Sequence, residues 1–456
     1  MRRDVNQHQI TEGVIWQQLL LFFFPILFGT FFQQLYNTVD AIVVGRFVGK
    51  EALAAVGGPT GVIINLLVGF FVGLSSGATV IISQYYGANR PEMVGYAVHT
   101  SITFSLLCSI VITIVGFFGA PWALRAMGTP ADVVEFAILY MRIYFVGTVF
   151  NLIYNIGSGI LRAVGDSKGP LYFLIASCVT NIVLDIAFVV VLDMGVAGVA
   201  LATILSQAVS ALLVIFVLTR TKDMYHLSFS QLHLDRRMLK RIIRIGLPAG
   251  LQSVMYSSSN VIIQSSVNSL GTNTVAAWTA YGKIDAMFWM VINAFGISIT
   301  TFVGQNFGAE KMDRVKKGIR DCLAMTFGST IFFSLLLYHF GLYIFEIFTT
   351  DSAVLEIGME ILHFLVPTFF TYVVVEIYSG ALRGIGDSWI PMFITMIGVC
   401  ALRVVWLLVA VPFHRTIKMV VFSYPLTWTV TTIFFLVYLH CYSRLGKRRR
   451  FRWRRR

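Results

Sequence analysis

The chain has 456 residues, of which 57% are hydrophobic and only 12% charged, with a formal net charge of +13. Average soluble domains carry roughly 25% charged residues, so this composition excludes an ordinary water-exposed globular protein and calls for a surface that faces lipid. Backbone groups in lipid must pair internally, and the apolar runs are too long and uniform for alternating barrel strands, which leaves helices.

A helix needs about 20 apolar residues to cross the hydrocarbon layer. Runs of that kind predict spans near 14–38, 53–83, 94–119, 133–157, 170–191, 195–218, 242–269, 275–304, 318–345, 357–381, 389–411 and 417–440. The first follows Arg2 and Arg3 with no small-residue cleavage site behind it, so it reads as a retained span rather than a signal peptide. The polar stretch 219–241 separates the first six spans from the last six. The expected organisation is an N-terminal six-helix lobe over 1–218, a cytoplasmic linker over 219–241, a C-terminal six-helix lobe over 242–440 and a basic cytoplasmic tail over 441–456.

Twelve spans put both termini on one side, and the Lys and Arg residues choose that side. Counted over the loops, 27 fall on the side of the termini and 5 on the other, which places both termini in the cytoplasm. Nine basic residues lie between Arg444 and Arg456; beside a span, such a tail faces the cytoplasm and anionic lipid, and no nucleic-acid partner is expected. Cys108, Cys178, Cys322, Cys400 and Cys441 lie in or beside apolar runs without metal-ligand spacing, so they read as small apolar fillers with no disulfide framework.

The two halves repeat. Ile82–Asn89 matches Val303–Glu310, Gly159–Ser167 matches Gly380–Ser388, and Pro170 matches Pro391, all at one offset of 221 residues. Six spans per half is an even number, so the second half enters the membrane with the same orientation. The expected fold class is therefore all-α integral membrane, with twelve transmembrane helices in two parallel six-helix bundles related by a pseudo-two-fold along the membrane normal. Transporters of that design bind substrate between their halves and alternate access to it.

Ionisable groups inside a bilayer cost several kcal/mol and are functional candidates by default. Here they are Asp40, Arg142, Asp185, Lys283, Asp285, Glu376 and Arg403, with Glu346 nearer a span end. Arg162 and Asp166 recur at the offset as Arg383 and Asp387 and read as hinge and helix-end chemistry, Asp being suited to cap the next helix. Asp40, Asn181 and Asp185 do not recur, because Val261, Leu402 and Trp406 stand at the matching positions. Asn181 and Asp185 lie on one helical face. Two carboxylates and an amide facing one cavity form a hard-oxygen set suited to Na⁺ or to holding a proton; a buried cluster that only ties helices together is the bland alternative. Asn37 is a secondary candidate for the same cavity, Tyr36 reads as packing, and Asp285 and Glu376 are secondary candidates in the second half. The 38 Phe and 16 Met offer soft linings for varied apolar ligands, although most must face lipid or neighbouring helices.

The stretch Gln33-Gln34-Leu35-Tyr36-Asn37-Thr38-Val39-Asp40, continuing to Gly45-Arg46-Phe47-Val48-Gly49, together with Gly87-Ala88, Gly308-Ala309 and the two Leu-Arg-x-x-Gly-Asp-Ser loops, resembles the multidrug and toxic compound extrusion (MATE) family over nearly the whole chain. Within it the chain is similar to the bacterial DinF-like branch, whose N-terminal lobe carries the coupling site. The resemblance implies that Asp40 is the first-helix aspartate, Asn181 and Asp185 the fifth-helix pair, and Tyr140 and Thr203 their polar neighbours. It also implies that Pro25 is the proline where helix one bends, a static kink being the alternative. A Na⁺ ion would draw on Asp40, Asn181, Asp185 and Thr203. The NorM-like branch is known for acids in the C-terminal lobe, and the span 242–269 has none.

The resemblance further implies a secondary active antiporter of the inner (plasma) membrane. It would export amphipathic, often cationic, organic compounds in exchange for H⁺ or Na⁺, working as a monomer without a cofactor other than the coupling ion. The alternative is a lipid-linked precursor flippase of the same superfamily, for which Arg142, Lys283 and Arg403 supply little cationic lining. An enzyme is not expected, since the eight His are dispersed, and neither is direct use of ATP, since no phosphate-binding Gly-Lys-Ser/Thr loop appears.

Overall fold

The computed structural model describes residues 10–441, and no strand occurs among them. Arg2, Arg3 and the basic run from Arg444 lie outside the described residues. Among the described residues, nine helices are long and apolar enough to cross a membrane: α1 (Ile15–Val48), α2 (Lys50–Gly87), α3 (Pro91–Ala126), α5 (Lys168–Val191), α6 (Gly195–Arg220), α8 (Thr272–Gly308), α9 (Met312–Glu346), α11 (Trp389–Val409) and α12 (Ile417–Cys441). Two more spans are bent pairs: α4 joins Ala131–Val146 to Thr148–Ala163 at 49°, and α10 joins Ser352–Thr368 to Phe370–Gly384 at 52°. The remaining long helix, α7 (Arg236–Asn268), spans 33 residues. Its apolar run is diluted by Ser257, Ser258, Ser259, Asn260 and Gln264, so its hydropathy alone does not mark it as a span.

Helices overrun the apolar runs that announce them. Hydropathy sees only the part in hydrocarbon, whereas backbone pairing carries the helix on into the polar layer. The largest difference is at α1, which runs on to Val48 where the apolar run ends near 38; α7 starts at Arg236, inside the expected linker 219–241. Asp235 caps it, its Oδ1 accepting from the Met238 N–H at 2.7 Å.

The chain divides into two compact units, one containing Leu21–Gly250 and the other Thr11–Leu20 and the chain from Leu251. The division differs from a cut at the linker, because each half's first helix begins in the other half's unit. In the first unit this comes from close packing: a Cβ built on Gly77 would lie 2.2 Å from the Ile242 carbonyl oxygen, and one on Gly246 2.1 Å from that of Leu74. In the second unit, Arg314 of α9 donates to the Gly13 carbonyl at 2.9 Å and to Gln18 Oε1 at 3.1 Å.

The duplication is written into the backbone. The bend of α4 at Gly147 recurs in α10 at Phe369, within one residue of the offset. Asn89 and Glu310 both take the left-handed conformation, with φ 53° and 60°. Each ends its helix with the same closing bonds, Arg90 N–H to Tyr85 O and Lys311 N–H to Asn306 O. Gly165 and Gly386 turn with φ 98° and 87°, as the two matched loops require. Asp166 caps α5 through Oδ1, which accepts from the Lys168 and Gly169 N–H groups at 3.0 and 2.9 Å. Its counterpart Asp387 instead accepts from the Tyr438 hydroxyl at 2.7 Å.

The outer faces carry large apolar side chains such as Phe118, Trp122, Leu212 and Phe332, a surface that only lipid can cover. Cys178, Cys322 and Cys400 are buried, Cys108 is half-buried and Cys441 exposed, all as free thiols. Glu346 is exposed at the end of α9.

Candidate functional site

In the first unit, α1, α4, α5 and α6 bring together most of the residues singled out from the sequence. Asp40, Tyr140, Asn181, Asp185 and Thr203 are all buried, Asn181 and Asp185 completely. The Thr203 hydroxyl lies 3.4 Å from Asp40 Oδ2 and also reaches the Val199 carbonyl of its own helix at 3.0 Å. Asp40 interacts directly with Asp185 and Asn181 as well, and Tyr140 with Asp40 and Thr203. The two carboxyl groups therefore adjoin, and no cationic side chain within 4.0 Å pairs with either among the described residues.

Most polar atoms of this set make no hydrogen bond. Asp40 Oδ1, both carboxyl oxygens of Asp185 and both amide atoms of Asn181 are buried without a hydrogen bond. Buried polar groups are normally paired, so the cluster has a standing capacity for a proton or a small cation. The donor set is hard oxygen from two carboxylates, an amide and a hydroxyl, which fits Na⁺ in chemistry and charge as well as it fits a shared proton.

Local structure supports the placement. Asp40 and Asp185 each precede a widened π turn, Val44–Val48 in α1 and Ile186–Val191 in α5. There the bonds run i to i−5, from Gly49 N–H to Val44 O and from Leu192 N–H to Ala187 O, each at 3.0 Å. Such turns frequently accompany functional positions. The Ser177 hydroxyl bonds to the Ser206 carbonyl at 2.8 Å and holds α5 against α6. Pro25 is buried in an unbroken stretch of α1. Asn37 is exposed and does not reach the cluster, because α1 turns its other face inward, whereas Tyr36 is buried, as a packing residue is, close enough to Asp40 to feel its charge.

The second unit gathers a different set. Asp285 accepts from Trp289 Nε1 at 2.7 Å and from the Tyr281 hydroxyl at 3.3 Å. Glu376 accepts from the Tyr372 hydroxyl at 3.4 Å and pairs with Arg383 at 3.8 Å. Arg403, 2% exposed, stacks 4.1 Å from the Tyr424 ring centroid and donates to Thr427 at 3.2 Å. Asp285, Glu376 and Arg403 line one cavity of about 480 Å³ together with Trp278, Trp289, Tyr372, Tyr424 and Trp428. Lys283 is exposed and lines no part of it, and Arg142 stacks over Phe117 at 5.1 Å in the first unit. The aromatic wall was not visible in the sequence, since its residues, with Tyr256 of α7 among them, come from four separate helices. The available signals were Asp285, Glu376 and Arg403, ionisable groups inside spans.

The profile of the MatE family matches residues 25–187 and 248–409, once in each half. The chain is 29% identical over 401 residues to the probable multidrug resistance protein YoeA of Bacillus subtilis, covering 86% of each chain. It is 28% identical to the probable multidrug resistance protein YpnP of the same organism, covering 88% of this chain and 89% of that one. Among solved structures, an outward-facing multidrug resistance MATE family transporter of the MOP superfamily superposes with a TM-score of 0.87 at 25% identity. That match covers 95% of this chain and 97% of the other. A MATE protein in its straight conformation superposes with a TM-score of 0.88 at 24% identity and the same coverage.

Proposed function

The chain belongs to the MatE family of membrane transporters, and from that premise we propose that it is a secondary active multidrug efflux antiporter in which Asp40 and Asp185 bind the coupling ion, H⁺ or Na⁺. One observation carries this reading: two adjoining buried carboxyl groups without a cationic partner, present in the first copy of a repeat whose second copy has Val261 and Trp406 at the matching positions. Taking a charge out of water costs several kcal/mol, and two adjacent like charges add repulsion to that cost. A proton or Na⁺ arriving at the cluster removes much of it, so occupancy changes the energy of every helix that contributes a ligand.

The resemblance to the DinF-like branch and the names of the relatives YoeA and YpnP support export of amphipathic, often cationic, organic compounds. In the proposed cycle the ion enters from outside, binds Asp40 and Asp185 with Asn181 and Thr203 around it, and α1 rearranges about Pro25 to release cargo. Proline lacks the N–H that would tie it to the preceding turn, which makes a bend at that point cheap. The orientation that fits the basic loops puts both termini in the cytoplasm and the chain in the plasma membrane.

The test is dye efflux from proteoliposomes with pH and sodium gradients imposed independently. Wild-type protein should respond to one of them and so identify the ion, and Asp40→Asn should respond to neither. Gradient-driven efflux at the wild-type rate by Asp40→Asn removes the coupling assignment.

A further inference from the structure

The cavity of the second unit holds three charged groups, and they are not equally satisfied. Glu376 is matched: one oxygen faces Arg383 at 3.8 Å and the other accepts from Tyr372. Asp285 has two neutral donors but no ion-pair partner among the described residues, and Arg403 has a neutral acceptor and a ring but no acid. The guanidinium Nε of Arg403 is buried without any hydrogen bond. A buried arginine normally meets a carboxylate or phosphate through its fork of N–H groups. An unpaired acid and an unpaired base thus line one aromatic-walled space.

The walls define what fits between them. Trp289 meets Tyr372 edge-on at 4.8 Å and Trp428 at 6.2 Å, Tyr424 meets Trp428 at 5.3 Å, and Trp278 stacks on Tyr281 at 5.6 Å. These rings offer apolar contact area and negative π-faces that favour an organic cation. A volume of about 480 Å³ is in the range of small-molecule pockets.

We propose that this cavity binds an amphipathic zwitterion, an organic molecule with an aromatic or apolar body whose cationic group pairs with Asp285 and whose anionic group pairs with Arg403. A ligand carrying only a positive charge leaves Arg403 unmatched and adds to its field, and one carrying only a negative charge faces Asp285. The site is distinct from the coupling cluster, so failure of the ion-coupling assignment leaves the binding rule standing, and the reverse.

The test uses purified full-length protein in maltoside detergent and two dyes with one body, rhodamine B, a zwitterion, and its ethyl ester, a cation. Binding is read by fluorescence anisotropy, corrected for partition into empty micelles. Wild-type protein should bind the zwitterion about tenfold tighter than the ester, the scale of one charge-assisted pair. Arg403→Gln should erase that preference, Arg403→Lys should retain part of it, and Asp285→Asn should weaken both dyes. Equal affinity of the wild type for the two dyes, or an undiminished preference in Arg403→Gln, overturns the proposal. Because the first comparison needs no variant, a misfolded Arg403→Gln does not rescue it. Competition by dodecylphosphocholine separates two sources of the same chemistry. Displacement assigns the site to lipid-type zwitterions, and undisturbed dye binding assigns it to free aromatic ones; both keep the charge rule.

Discussion

Among the described residues the two units handle buried acids differently: the first sets two side by side with no base, whereas the second pairs Glu376 with a base and leaves Asp285 without one. In the first, Asp40 and Asp185 adjoin each other, and three of their four carboxyl oxygens have no hydrogen-bond partner. In the second, Glu376 faces Arg383 and Tyr372, while Asp285 is held by Trp289 and Tyr281. A duplicated scaffold starts with the same helices, bends and turns in both copies, so the divergence lies in which charges are left without a match. An unmatched pair of acids binds and releases a cation readily, because its energy changes most on occupancy. A matched acid is tied to the fold and changes little.

The sharpest way to break this comparison is to neutralise one acid in each unit. Asp185→Asn should lower gradient-driven efflux by at least about tenfold without lowering the melting temperature, since it removes a like-charge contact. Glu376→Gln should do the reverse. It leaves Arg383 without its acid, at a cost of roughly 1–2 kcal/mol for this partly exposed pair, less than for a fully buried one, while most of the ion coupling survives. Parallel efflux and thermal-unfolding measurements decide between them. If Glu376→Gln abolished coupling with its stability intact, the contrast between the units would be lost.

How the two clusters were read from the sequence follows the same division. Asp40, Asn181 and Asp185 stood out because the repeat supplies an internal control: Val261, Leu402 and Trp406 show what the scaffold alone requires. The turns at Asn89, Gly165, Glu310 and Gly386 were legible for the complementary reason, that both copies keep them. Asn37 was assigned to the cavity although it faces outward, because adjacent residues differ by about 100° around a helix axis, and no periodic signal in so apolar a run fixes which face turns inward. The aromatic cavity was hidden because its walls come from α7, α8, α10 and α12, and only packing brings them together. The start of α7 was misplaced by hydropathy, since Arg236–Arg241 continues the helix outside the apolar run.

Pro25 offers a smaller test, confined to the first unit. Replacing it with Ala restores the backbone donor and stiffens α1. Efflux should slow by roughly two- to fivefold, because bending about this residue then breaks a hydrogen bond, while dye binding in the second unit is unchanged. Wild-type turnover by Pro25→Ala would make the proline a static feature of α1 and move the conformational change elsewhere.

The smallest expected effect separates the units by packing alone. Gly77 of α2 and Ser298 of α8 are matched positions in the repeat. A Cβ on Gly77 would sit 2.2 Å from the Ile242 carbonyl oxygen and 2.7 Å from the Gly246 nitrogen, backbone atoms that move only with α7. Ser298 already carries a Cβ at full burial and turns its hydroxyl to the Ala294 carbonyl at 2.7 Å. Gly77→Ala should therefore destabilise by about 1–3 kcal/mol through overpacking. Ser298→Ala, which removes both the hydroxyl and any need for its partner, should cost less than about 1 kcal/mol. Thermal unfolding of the two variants in one detergent measures the difference. Equal stabilities would mean that α7 has room to shift away from α2, and the close approach of these helices would no longer account for the start of α7 belonging to the first unit.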